Sequence, residues 1–387
     1  MEGECGMSAR TDTIAAVDVW VVNVPLTSPF RSSFETKTGE TRTIVKITTA
    51  DGVEGWGETM WGAPVARLVR QLAEELIGTS PYDLEPLRQR TRMTPFFHGY
   101  LGYAAIAALD VACWDVIGRT SGLALTDLLG GRVRTRIPIT ALITRADAPG
   151  VTDADRPRAL AEFAAEVVAR GGFGAVKLKG TGDAAGDVAI MHALRDALPG
   201  TKLRVDPNGA WSVPDSIRAG QALEELDLEY LEDPCSGLEP MARVRREVRI
   251  PLCTNMCVVR LEDIAPAVRL DAVDVIHGDV YKWGGIGATK ALAAHCETFG
   301  LGMNLHSGGE LGPATAAHLA IVASTPVLDT AIDSMYYLHA GDVISPRLEL
   351  VDGALRLPDG PGLGVTVDTD RLAHYARLNQ EQGDLTG

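Results

Sequence analysis

Cysteine is scarce in this chain and falls into no framework. The six residues Cys5, Cys113, Cys235, Cys253, Cys257 and Cys296 are scattered over 387 positions. Cys253 and Cys257 stand four apart without a Cys-x-x-Cys or a histidine cluster beside them, which argues against disulfide staples and zinc ligation. Buried free thiols in a reducing cytoplasm are the expectation. Long apolar runs are missing too: none approaches the ~20 residues of a membrane span. The opening MEGECGMSARTDT (1–13) lacks the apolar core of a signal peptide and reads as a mobile tail. Positive charge is in deficit, with 36 Lys and Arg against 51 Asp and Glu for a net charge of −15. That balance disfavours nucleic acid and acidic membrane surfaces as partners. It leaves an anionic small molecule open, because a local cluster of lysines, arginines and metal can reverse the potential inside one pocket.

What is present has a period. Residues 14–24 (IAAVDVWVVNV), 42–49 (RTIVKITT) and 53–59 read as antiparallel strands around Asp51-Gly52, with a polar loop SPFRSSFETKTGE between the first two. Helical periodicity follows at 64–77, 82–92 and 102–118, the last apolar nearly all round and therefore a buried helix. An α+β domain over 14–135 is expected. From residue 137 apolar strand-like segments alternate with amphipathic helical ones. Strands are expected near 137–144, 173–179, 202–206, 228–232, 251–255, 273–279, 301–306 and 327–333. Eight such strands point to a closed parallel barrel over 136–345. An eighth helix is missing, which suggests that the tail 346–387 leaves the barrel and completes the first domain.

Functional groups close these strands at regular steps. Asp206, Glu232, Asn255, Asp279 and His306 are separated by 26, 23, 24 and 27 residues, and Lys177 and Lys179 end the strand before them. About 25 residues hold one strand, one helix and two short loops. Polar residues at the same end of successive strands are how a parallel barrel assembles a site. One such acid would more often be a helix N-cap. Three in phase, inside VDPNGAW, LEDPC and CTNM, converge instead on one point. Asp206, Glu232 and Asn255 offer a hard, all-oxygen site suited to Mg²⁺.

Lys177 and Lys179 lie two apart and so point to the same side of their strand. Each should depress the other's pKa, making Lys179 a candidate proton-abstracting base and Lys177 its electrostatic partner. Asp279 beside His306 should fix the imidazole and raise its pKa, forming a second acid/base group. A carboxylate substrate held at the metal would then meet a base on each face of its α-carbon. Removing that proton is the difficult step that metal and base together make possible.

These residues resemble the enolase superfamily. KLK on the second barrel strand, ligands on the third to fifth and an Asp–His dyad on the sixth and seventh look like its mandelate racemase side. KLKG, VDPNGAW, YLEDPC, the asparagine of CTNM and PGLGV are similar to the glucarate dehydratase subgroup. The resemblance implies an α/β fold, a modified TIM barrel (β/α)₇β under an N-terminal α+β capping domain completed by the C-terminal tail. It also implies a homo-oligomer and Mg²⁺-dependent dehydration of an acid sugar, a glucarate-like diacid, to a 2-keto-3-deoxy acid. Racemisation, epimerisation or cycloisomerisation at the same groups is the alternative, and a non-catalytic barrel scaffold a remote one. Asn208, Arg31 and Ser307 are candidate substrate contacts. ITALIT on the first barrel strand, HSGGELG after the histidine and SPFRSSFE near the N-terminus depart from the subgroup, so the substrate is less defined than the chemistry.

Overall fold

The computed structural model describes residues 12–385, and most of the tail expected at 1–13 lies outside them. Apolar alternation becomes the antiparallel strands β1 (Ile14–Arg31), β2 (Thr36–Thr49) and β3 (Glu54–Met60). The first two are longer than their periodicity suggested. The segment read as a polar loop is mostly strand, and Ser32–Glu35 alone makes the turn, closed by Ser32 N–H to Glu35 O at 3.0 Å. A register irregularity between Pro25 and Phe30 breaks the pairing, and such irregularities bend a hairpin. Here the hairpin seats on the barrel, where Thr27 Oγ1 donates to Leu338 O (3.0 Å) and Ala340 N–H to Pro25 O (2.8 Å).

Helices α1 (Ala63–Glu74), α2 (Leu84–Thr91), α3 (Thr94–His98), α4 (Tyr100–Ser121) and α5 (Leu125–Leu128) follow. By length and composition α4 could cross a membrane, but 83% of its most apolar window is buried inside the protein. It is the core helix of the first domain. It packs so closely on β3 that a Cβ at Gly57 would stand 2.0 Å from Ala108 O.

Eight strands then alternate with seven helices. The strands are β4 (Arg136–Ile143), β5 (Ala175–Lys179), β6 (Lys202–Asp206), β7 (Tyr230–Glu232), β8 (Leu252–Thr254), β9 (Val275–Gly278), β10 (Gly302–Leu305) and β11 (Ile332–Asp333). Between them run α6 (Arg156–Gly171), α7 (Ala184–Ala197), α8 (Val213–Leu223), α9 (Leu238–Arg245), α10 (Ile264–Leu270), α11 (Ile286–Phe299) and α12 (Gly312–Ala323). Strands β4 to β10 pair in parallel order, and β11 returns to β4 through Ile332 opposite Ile139. At the seam between β10 and β11, Asn304 Nδ2 donates to Ala331 O (3.0 Å) and Thr330 Oγ1 (3.1 Å).

The tail returns later than the sequence suggested. Its first part stays with the barrel, as the hairpin β12 (Leu350–Val351) and β13 (Ala354–Arg356), with β13 antiparallel to β4. Only then does the chain meet α4, where Leu363 N–H donates to Asp115 Oδ1 (2.8 Å). It ends in α13 (Thr369–Gln382), tied to β1 by Asn23 Nδ2 donating to Gly383 O (2.8 Å).

Candidate active site

Because β5 alternates its side chains, Lys177 and Lys179 both enter the barrel, and both are buried. Lys177 Nζ lies 2.6 Å from Glu232 Oε2, 2.5 Å from Asp333 Oδ2 and 3.4 Å from Asp206 Oδ2. Burial works against its charge, but the three carboxylates outweigh burial and hold the ammonium well above the usual lysine range. This corrects the expectation that the paired lysines depress one another, since for Lys177 the surrounding acids dominate. Lys179 Nζ lies 2.5 Å from Asp206 Oδ2. Glu232, pulled upward by burial, is held well below the usual carboxylate range by His277 and Lys177.

The remaining metal candidate is set by a turn. Asp233, in the left-handed region at φ 36, accepts from Asn255 N–H (2.7 Å), Met256 N–H (3.2 Å) and Thr254 Oγ1 (2.5 Å). The three bonds shape the segment after β8 that presents Asn255. Burial pushes Asp233 up to about 7. Asn208, also left-handed at φ 55, donates from its backbone to Asp206 Oδ1 (2.9 Å) and from Nδ2 to Oδ2 (3.2 Å). The candidate ligands Asp206, Glu232 and Asn255 are all oxygen donors, and buried Glu232 Oε1 makes no hydrogen bond. A hard divalent cation fits that set. Donor atoms of Glu232, Cys253 and His277 also lie within 4.8 Å of one another. Burial there holds the Cys253 thiol well above its usual range, which keeps it protonated and a poor ligand.

Asp279 and His306 follow β9 and β10, with Asp279 Oδ2 3.6 Å from His306 Nδ1. A neighbour absent from the sequence reading changes their chemistry. Lys282 Nζ lies 3.2 Å from Asp279 Oδ2 and donates to Asn255 O at 3.0 Å. Burial and then Lys282 lower the His306 pKa to about 4, overriding Asp279. The expected rise does not occur, and the imidazole is neutral at pH 7. Burial pulls Asp279 upward, but Lys282 and His306 outweigh it and hold the carboxylate below its ordinary range.

Lys177, Lys179, Asn208, His306 and Ser307 line one cavity of about 460 Å³, roofed by the β1–β2 hairpin. Arg31 is exposed and does not line it; Lys37 and Arg42 are the cap cations that do. The reason is the longer hairpin, whose alternation sends Arg31 outward and Phe30 inward. Ser307 lines the cavity but spends its hydroxyl on the scaffold, donating to Glu310 Oε2 (2.6 Å) and accepting from Met335 N–H (2.9 Å).

Three groups in the barrel interior escaped the sequence reading. Arg204 is fully buried, with Glu229 at 2.6 Å, Thr140 Oγ1 at 2.7 Å and Asp333 Oδ1 at 3.5 Å. His277 reaches Tyr230 OH at 3.0 Å. Asp333 had a signal: it ends the eighth strand 27 residues after His306, continuing the same step.

The chain's residues 15–130 match the model of the mandelate racemase / muconate lactonizing enzyme N-terminal domain. Residues 159–371 match that of the enolase C-terminal domain-like family, more than half of the chain. The chain belongs to the enolase superfamily. A probable glucarate dehydratase of Streptomyces coelicolor is 38% identical over 365 residues, 87% of this chain and 84% of that one. A crystal structure from Streptomyces coelicolor, described as an enolase and candidate sugar isomerase, superposes with a TM-score of 0.96 at 73% identity, covering 97% of this chain and 100% of that one. An enolase from Thermobispora bispora, crystallised with magnesium and formate, does so at 0.89 and 36% identity, covering 97% and 94%.

Proposed function

We propose that this superfamily member is a Mg²⁺-dependent dehydratase of an acid sugar, removing the proton α to a carboxylate and water's hydroxide from the β-carbon to give a 2-keto-3-deoxy acid. The observation that carries the reading is that Lys179 and His306 line one cavity, with Asp206 against Lys179 and Glu232 against Lys177. The 38% identity to a probable glucarate dehydratase supports it, as does magnesium with formate in a relative of similar fold. Asp206, Glu232 and Asn255 would hold the cation, whose chemistry there is to draw charge from the substrate carboxylate and acidify the α-proton.

The chain's own residues do the rest. Lys177, kept charged by its three carboxylates, stabilises negative charge building on the substrate carboxylate. Lys179 takes the α-proton at Nζ and returns it to the departing hydroxide, so that water leaves and no net proton is gained or lost. His306, neutral above about pH 4, accepts a proton rather than donates one in the resting enzyme. Its place in the cavity favours a second reading, α-epimerisation by two bases, to which the description of the 73%-identical structure also points.

Incubation with Mg²⁺ and a panel of acid sugars in D₂O separates these. Dehydration yields a 2-keto product. Deuterium exchange at the α-carbon without that product favours the isomerase. Neither signal, in protein shown to bind Mg²⁺, favours a non-catalytic barrel.

A further inference from the structure

We infer that the substrate carries a single carboxylate and an uncharged far end, an aldonate-like acid rather than a diacid; this rests on the dehydratase reading. The argument is the distribution of charge along the cavity. At the barrel end, Lys177 and Lys179 face Asp206, Glu232 and Asp333, while Arg204 is balanced by Glu229. There the divalent cation would act together with Lys177 on a single substrate carboxylate.

The cap end has no cation to spare. Among the described residues, the cap cations lining the cavity are Lys37 and Arg42, and each already has its acid. Lys37 Nζ lies 2.5 Å from Glu40 Oε1 and 3.8 Å from Glu35 Oε1. Arg42 Nε lies 2.8 Å from Glu58 Oε1 with both side chains fully buried, and its Nη1 donates to Gly308 O at 2.9 Å. Glu58 in turn accepts from Leu311 N–H (2.8 Å) and Ala314 N–H (2.9 Å), so this pair is built into the seam between cap and barrel. Arg31, the cationic candidate for substrate contact, is outside.

Two cap cations therefore meet three carboxylates, Glu35, Glu40 and Glu58. The rest of the wall is largely apolar: Phe30, Phe34, Met60, Trp61, Leu142 and Met335. A second carboxylate there would lose water beside like charges without gaining an unpaired cation, a cost that selects against it. Hydroxyl groups and carbon suit the same wall. Arg42 Nη2, buried and without a hydrogen bond, can donate to a hydroxyl oxygen, while the charge of Arg42 is already matched by Glu58.

The test uses six-carbon aldonates and aldarates of matched stereochemistry with the Mg²⁺-loaded protein. The expected result is a 2-keto product from an aldonate, with kcat/KM at least about tenfold above its matched diacid. A diacid turned over as well or better overturns the inference while leaving the dehydratase reading intact. If neither class reacts, the dehydratase reading fails, and titration calorimetry of the same pairs decides the inference. Tighter aldonate binding supports it; equal or tighter aldarate binding, or no aldonate binding, overturns it. Glu40→Gln releases Lys37 from its nearest partner and should narrow the aldonate preference by about threefold. An unchanged preference in a variant that still binds aldonate would remove the charge argument.

Discussion

The lysine side and the histidine side of the barrel mouth handle charge in opposite ways. Both present basic side chains at strand ends, Lys177 buried and His306 half-buried. Lys177 is kept protonated because three carboxylates outweigh the cost of burial. His306 is kept neutral because burial is reinforced by the ammonium of Lys282 behind its partner Asp279. The same location in the fold thus yields a fixed cation on one side and a free base on the other. The deciding residues are Asp333, on the cavity wall against Lys177, and Lys282, behind Asp279. Residue type at a strand end identifies a titratable group; its neighbours decide which form it rests in.

The sharpest way to break this comparison is to remove one base at a time. Lys179→Ala should lower turnover by about 10²–10⁴-fold, read together with α-proton exchange in D₂O. His306→Asn should leave exchange on the lysine face in place. If Lys179→Ala still exchanged at both faces, the assignment of the lysine as a base would be wrong.

A smaller effect is expected from Asp333→Asn. It removes one of three carboxylates around Lys177 and should cost about 1.5–3 kcal/mol of stability in denaturant titrations, with kcat reduced more than KM is raised. Unchanged stability and kcat would show that Asp206 and Glu232 suffice to hold Lys177.

The least change should come from Lys282→Met. With the His306 pKa held to about 4, its neutral form survives until the pH falls through that value, and proton uptake below it removes the base. Activity that depends on His306 is therefore lost toward acid. Removing Lys282 should raise that acid limb by about one pH unit, read from the pH dependence of exchange at the histidine face. A limb that stayed put would leave burial alone as the cause.

Much of the fold was legible because it rests on periodicity. Apolar runs separated by amphipathic segments mark strands covered on both faces, and their ~25-residue spacing marks a barrel. That spacing also marked which side chains would share one end, from Lys177 to His306. The hairpin over the mouth was less legible, since SPFRSSFETKTGE is polar where it faces solvent and its pairing comes from β2 rather than from composition. The first part of the tail was less legible for a similar reason: Ala354–Arg356 finds its partner in β4, more than two hundred positions earlier.

By itself, then, the order of residues determined the architecture, the set of candidate oxygen donors and the presence of basic groups, because each depends on local period and chemical type. Tertiary structure alone decided that Lys177 is charged and His306 neutral, that Ser307 is engaged in holding loops, that Arg31 points away, and that the cap end of the cavity has no cation to spare. Those properties arise from charges and dipoles brought within a few ångströms from distant parts of the chain, in a buried setting where such contacts shift free energies far more than they would in water.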